Sequence, residues 1–271
     1  MLPTFCAFII GFIVPFSEGL YLSFCKFTTI KKATWVGLSN YAKVFQDAQF
    51  WDSLTFTASF TVVSTVLINV LAFAIALALT KGIIGTNVFR TVFFMPNLIG
   101  GIVLGYIWNI LINCLLSLIG SPLLALNTTA GYWGMIVLMC WQQIGYMMII
   151  YIAGLQSIPN ELIEAARIDG ATARQTLFQV KIPNVMPSIT ICMFLTLTNS
   201  FKLFDQNLAL TGGDPNHQTE MLALNIYNNF YARSGAAWKG IGQAKAVIFC
   251  IMVIAVSMIQ LTATRSKEVQ Q

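Results

Sequence analysis

Apolar side chains dominate the chain in six long windows, at about 4–24, 56–79, 92–112, 133–152, 187–204 and 244–263, with polar stretches between them. Each window is near-continuously apolar instead of alternating, and each holds roughly the 20 residues an α-helix needs to cross a bilayer. Lipid offers no partner to backbone N–H and C=O groups, so such runs bond within one helix. The pattern predicts an all-α membrane protein with six transmembrane helices. The stretch 113–131 is broken by Gly120, Ser121 and Pro122 and again by Asn127, Thr128 and Thr129, and reads as a surface segment. The first window, from Leu2 to about Phe24, lacks a basic leader and a small-residue cleavage site, so it reads as a retained span.

Composition supports this picture. The 271 residues are 57% hydrophobic and 9% charged, with a mean hydropathy of +0.74, whereas soluble domains carry about 25% charged residues. A single membrane domain over 1–271 leaves no room for a large soluble one. The net charge of +5 is scattered and forms no nucleic-acid patch. An even number of spans puts both termini on one side, with loops 80–91 and 153–186. Seven cations lie there (Lys81, Arg90, Arg167, Arg174, Lys181, Arg265, Lys267) and six opposite (Lys26, Lys31, Lys32, Lys43, Arg233, Lys239), a margin too small to orient the chain.

The residues of soluble chemistry are sparse. Cys6, Cys25, Cys114, Cys140, Cys192 and Cys250 form no CxxC or Cys/His cluster, and read as small lipid- or core-facing side chains. His217 sits in a turn-rich loop. No phosphate-binding GxxxxGK[ST] occurs and no nucleophile–base arrangement is present, so neither a catalytic nor a metal site is expected.

Between windows four and five the loop 156–187 carries two helical signals. Pro159 suits a first turn, Glu161 and Glu164 complement the helix dipole, and Gly170 ends the run. Thr172-x-x-Gln175 is a capping-box pattern that opens a second helix, and Pro183 is expected to close it. Leu162, Ala165, Ala166 and Ile168 offer small and apolar contact atoms beside Glu164, Asp169 and Arg174, a surface suited to a groove on a partner.

Here the chain resembles the permease subunits of ATP-binding-cassette (ABC) importers, whose EAA loop reads E-A-A, three residues, G, nine residues, I-x-L-P. Glu164-Ala165-Ala166, Gly170, Val180, Ile182 and Pro183 match that spacing, with Val180 for Ile and Ile182 for Leu. Val36-Gly37-Leu38-Ser39-Asn40-Tyr41, Phe93-Phe94-Met95-Pro96, Ser200–Asp205 and Leu210-Thr211-Gly212-Gly213 are similar to stretches of the carbohydrate uptake branch, in particular the first of its two paired permeases. The resemblance implies that Glu164, Ala165, Ala166, Asp169, Gly170 and Pro183 form a cytoplasmic coupling helix-turn-helix. It also implies an inner-membrane subunit paired with a second permease, two ATP-binding subunits that carry the ATP and Mg, and an extracytoplasmic solute-binding protein. Both termini would then be cytoplasmic, and this chain would need no cofactor of its own.

Polar side chains inside spans are costly in lipid and face cavities or neighbouring helices. A sugar calls for amide and hydroxyl groups beside aromatic rings. Trp141, Gln142, Gln143 and Tyr146 supply that mixture, and the resemblance adds Asn199 and Ser200 on window five. Bonding to other helices is the alternative for each of them. Lys202 and Asp205, three apart on one helix, are expected to pair with each other. Gly100, Gly101 and Gly105 permit close helix approach. The stretches 25–55 and 205–243 are expected outside, with Trp35, Tyr41, Phe45, Phe50, Trp51, Tyr227, Phe230, Tyr231 and Trp238 as interfacial anchors or a receiving face for the binding protein. An oligosaccharide is the expected cargo, with glycerol phosphate or a polyol as alternatives. An ion-coupled transporter or a membrane scaffold remains as a rival class.

Overall fold

The computed structural model describes residues 2–82, 84–233 and 235–265. Among these, six helices are long and apolar enough to cross a membrane: Pro3–Ser23, Ala48–Leu79, Gly101–Leu118, Thr128–Gln156, Ala173–Phe201 and Ala236–Arg265, here spans one to six. Lys267, counted above with the cations near the last window, lies outside the described residues. A short antiparallel hairpin, Cys25–Phe27 with Ala33–Trp35, is the one sheet among the described residues.

Span four is the axis of the bundle. In its apolar stretch 67% of residues are buried, against 6% in spans one and six, which leaves the outer two to meet lipid or another subunit. Phe60 and Ile68 of span two pack with Met139, Met147 and Tyr151 of span four in the core. Helices already in lipid gain little further from hydrophobic burial, so polar contacts contribute to holding them together. Asn69 of span two donates to Thr196 Oγ1 of span five at 2.8 Å and accepts from Tyr151 Oη of span four at 2.6 Å.

The window 92–112 is not one helix. Thr86–Phe94 is separate, Met95–Leu98 is a 3-10 turn containing Pro96, and Gly100 is extended before span three starts at Gly101. Pro96 lacks an N–H and so interrupts helical bonding, and the chain turns extended at Ile99 and Gly100, a break that apolar composition conceals. Span three is thereby shifted and runs on to Leu118, into the stretch expected at the surface, until Gly120 turns the chain with φ 68°. The next helix begins at Thr128, five residues before the apolar window, with Asn127 Oδ1 capping Ala130 N at 3.0 Å.

Gly145 of span four lets the Phe93–Phe94 backbone pack directly on it. A Cβ there would fall 1.8 Å from the Phe93 carbonyl oxygen. Gly145→Ala is therefore expected to force that segment away and cost roughly 3 kcal/mol or more. The check is the unfolding midpoint of the detergent-solubilised protein, and an unchanged midpoint would refute the close packing.

The second loop helix does not end at Pro183. Ala173–Gln175 is α-helical, Thr176–Lys181 forms a π-turn, and Ile182–Phe201 continues as α-helix with Pro187 inside it. A proline ring collides with the carbonyl four residues back in a regular α-helix. The wide turn just before Pro183 relieves that collision, so the helix runs through instead of stopping.

The stretch 205–243, expected outside the membrane, packs against the bundle. Span five ends at Phe201, and a short helix, Asp205–Leu210, lies against span three at Gly101 and Gly105. A Cβ on Gly105 would sit 2.5 Å from Ala209 Cβ, so the small face serves this short helix. Asn207 is fully buried and holds the chain that follows: its Nδ2 donates to the Thr219 carbonyl at 2.8 Å and its Oδ1 accepts from Met221 N at 2.9 Å. Asn109 of span three donates to the Leu210 carbonyl at 2.6 Å.

A buried charge network joins this region to the starts of spans two and six. Lys245 has no exposed surface, and its Nζ lies 2.7 Å from both Asp47 Oδ2 and Asn225 Oδ1. Glu220, equally buried, accepts from Gln49 Nε2 at 2.6 Å, from Asn225 and Asn228, and faces His217 Nδ1 at 3.4 Å. Gln49 Oε1 in turn accepts from Arg233 Nη2 at 2.8 Å, and the Arg233 guanidinium lies 4.3 Å from the Trp238 ring centroid. Of the aromatic residues read as anchors, Phe50 is core, packed beside this network.

Candidate functional site

The loop between spans four and five is built from local rules. Helix Asn160–Ile168 follows Pro159, with Glu161 in its first turn. It closes in a Schellman motif: Ala171 N donates to the Ala166 carbonyl at 2.9 Å and Gly170 N to the Arg167 carbonyl at 3.1 Å. Gly170 has φ 76°, which a residue without Cβ adopts at no cost, so the glycine of the motif is a helix terminator. Two residues on, Thr172 and Gln175 cap each other: Gln175 N donates to Thr172 Oγ1 at 3.3 Å and Thr172 N to Gln175 Oε1 at 2.8 Å.

The helix Asn160–Ile168 has two faces. Ile163 and Ala166 are partly buried and turn inward, whereas Leu162, Glu164, Ala165 and Ile168 are exposed, Ile168 at 86%. Leu162, Ala165 and Ile168 thus present small and apolar atoms outward beside the Glu164 carboxylate. Asp169 and Gly170 are exposed at its end, and Pro183, half-buried, belongs to the long helix instead.

The residues proposed for a polar path do not act as one group. Gln142 is buried and fully engaged, donating to the Ile99 carbonyl at 3.2 Å and accepting from Gln206 Nε2 at 2.7 Å. Ser200 is buried and accepts from Ser64 Oγ at 3.0 Å. Trp141 is exposed and packs edge-on to Trp108, with centroids 5.6 Å apart. Tyr146 rests on Phe94, centroids 6.4 Å apart. Gln143 and Asn199, by contrast, line one open cavity of about 280 Å³ with Met139, Lys202, Phe204 and Asp205. Gln143 Oε1 is buried and has no hydrogen-bond partner, so an acceptor is left unused at this cavity.

Lys202 and Asp205 therefore line a cavity and are not an ion pair. Among the described residues the ionic contacts are Lys245–Asp47 and His217–Glu220. The helix stops at Phe201, and Asp205 opens the next one, so the spacing of three that would pair them is never helical. Phe204, the last residue of its apolar window, and Gln206 just beyond it also line the cavity. Among the described residues no group of three or more His, Cys, Asp or Glu converges as a metal site.

The family described as binding-protein-dependent transport system inner membrane component matches residues 71–265, which span the core bundle, the loop and the cavity. The chain belongs to this family. It is a multi-pass membrane permease subunit of an ABC importer that works with a binding protein, and ATP hydrolysis resides on a separate type of subunit. A relative from Thermoanaerobacterium thermosulfurigenes, the probable starch degradation products transport system permease AmyD, is 42% identical over 99% of this chain and 93% of its own length. The multiple sugar-binding transport system permease MsmF of Streptococcus mutans is 34% identical over 96% of this chain and 92% of its own. A solved bacterial ABC transporter involved in import of the acidic polysaccharide alginate superposes with a TM-score of 0.82 over 98% of this chain and 93% of its own. At 20% identity that likeness concerns the fold.

Proposed function

We propose that this permease carries a sugar, an oligosaccharide in the first instance, along a path that it forms with a second permease. The observation that carries this reading is the cavity holding Gln143, Asn199, Lys202 and Asp205 beside Phe204. It combines amide and charged groups with an aromatic face, the mixture that sugar hydroxyls and C–H faces require. At about 280 Å³ it lies just under the ~300–1,000 Å³ of complete small-molecule sites, and it is open on one side. A second permease closing that side supplies the remainder. The names of the two relatives, which concern starch degradation products and multiple sugars, agree with this cargo.

The exposed face of helix Asn160–Ile168 docks one of two ATP-binding subunits, with Glu164 meeting a basic residue there and Leu162, Ala165 and Ile168 filling the groove. That places the loop, the end of span two and both termini in the cytoplasm, and the buried network around Glu220 on the side that receives the binding protein. Closure of the ATPases then moves the loop and reopens the cavity outward. The test is uptake by the reconstituted importer. Gln143→Ala with Asn199→Ala is expected to raise the KM for sugar about tenfold or more, each lost hydrogen bond weakening binding. Unchanged kinetics would sink the cavity as the path, and uptake that persists without the ATPases would favour an ion-coupled mechanism.

A further inference from the structure

A second cavity, of about 670 Å³, opens at the loop end of the bundle, where span two, helix Asn160–Ile168 and the start of span five meet. Four cations line it: Lys81 from the end of span two, Arg167 from the loop helix, and Arg174 and Lys181 from the start of span five. Among the described residues no carboxylate lines it. Among the described residues none of the four forms an ion pair or a side-chain hydrogen bond, since both ionic contacts lie around Lys245 and Glu220. Four like charges around one cavity repel one another and set up a strong local field that an anion relieves.

Apart from the Thr176 hydroxyl the remainder of the lining is apolar. Leu77, Ile163 and Leu177 are its large side chains, and Leu77 is two residues from the end of span two, so the cavity sits at the border of the membrane. Phe178, beside Arg174 with the guanidinium 5.9 Å from its ring, is an exposed aromatic at the same level. We propose that this cavity binds the headgroup of an anionic phospholipid. Two arginines suit a phosphate bidentately and two lysines add point charges, while the apolar wall takes the glycerol and the first methylenes. A free inorganic phosphate has no use for that wall. The site requires only that the six helices cross a bilayer, so its failure is separable from failure of the transport reading.

The test is native mass spectrometry of the assembled importer, purified and exchanged into nanodiscs of phosphatidylcholine with increasing phosphatidylglycerol. The intact complex is expected to retain phosphatidylglycerol, and Lys81→Gln with Lys181→Gln to weaken retention roughly tenfold or more. Lys81→Arg with Lys181→Arg is expected to keep it, which covers the case in which the neutral variant does not assemble. Equal retention by the neutral variant overturns the proposal. So does absence of retained lipid from the wild-type complex, which would mean that ATPase carboxylates neutralise the cluster. Displacement of the lipid by millimolar inorganic phosphate would overturn the assignment to lipid and mark a free-anion site.

Discussion

Charge reversal at Glu164 is expected to abolish ATP-driven uptake while the subunit still reaches the membrane. The residue stands exposed on helix Asn160–Ile168 with no ionic partner among the described residues, so the fold itself does not depend on its sign. A lysine in its place would set two cations against each other at an interface centred on Ile168. Loss of a charged hot spot costs 2 kcal/mol or more, so uptake into proteoliposomes should fall at least about 30-fold in Glu164→Lys. Glu164→Gln, which removes charge without reversing it, should lie between the two. Hydrolysis by the complex should also stop responding to loaded binding protein. Uptake within twofold of wild type would remove the coupling role from this residue.

Lys245→Met is expected to destabilise the subunit by about 3–5 kcal/mol, because it leaves the Asp47 carboxylate without its cation. Asn225 Oδ1 loses its contact to Nζ as well. Asp47 also caps span two, accepting from Gln49 N at 3.1 Å, so it is not replaced by an apolar residue without a second loss. Asp47→Asn keeps that cap and removes the charge. The double variant Asp47→Asn, Lys245→Met should therefore recover at least half of the lost stability, read as the unfolding midpoint in detergent. A single variant as stable as wild type would show that the pair contributes little to the fold.

The six crossings were legible because lipid demands long unbroken apolar helices, and the loop caps were legible because Gly170, Thr172 and Gln175 act within a few residues of one another. What stayed hidden depends on contacts distant in the chain. Pro183 obeys its local rule only if the preceding turn is regular, and the π-turn at Thr176–Lys181 suspends it. Asn207, Glu220 and Asn225 read as loop residues because polarity alone suggests exposure, yet each is buried with its hydrogen bonds met by neighbours up to 171 positions away. Which of the expected path residues share a cavity was hidden for the same reason. Gln142 and Gln143 are adjacent and chemically identical, and only the packing of Gln206 on one of them separates a bundle contact from a cavity wall.

Span five runs unbroken from Ala173, beside the loop helix, to Phe201, two residues beyond Asn199. At 1.5 Å per residue it is about 40 Å long, and the π-turn at Thr176–Lys181 and Pro187 are the points at which it can bend. A tilt of about 5° at its loop end would swing the far end by about 3–4 Å over that length, enough to make or break a hydrogen bond. Driven from the loop, such a helix would act as a lever arm, and its wide turn before Pro183 would set the stiffness and with it the mechanical gain of the subunit.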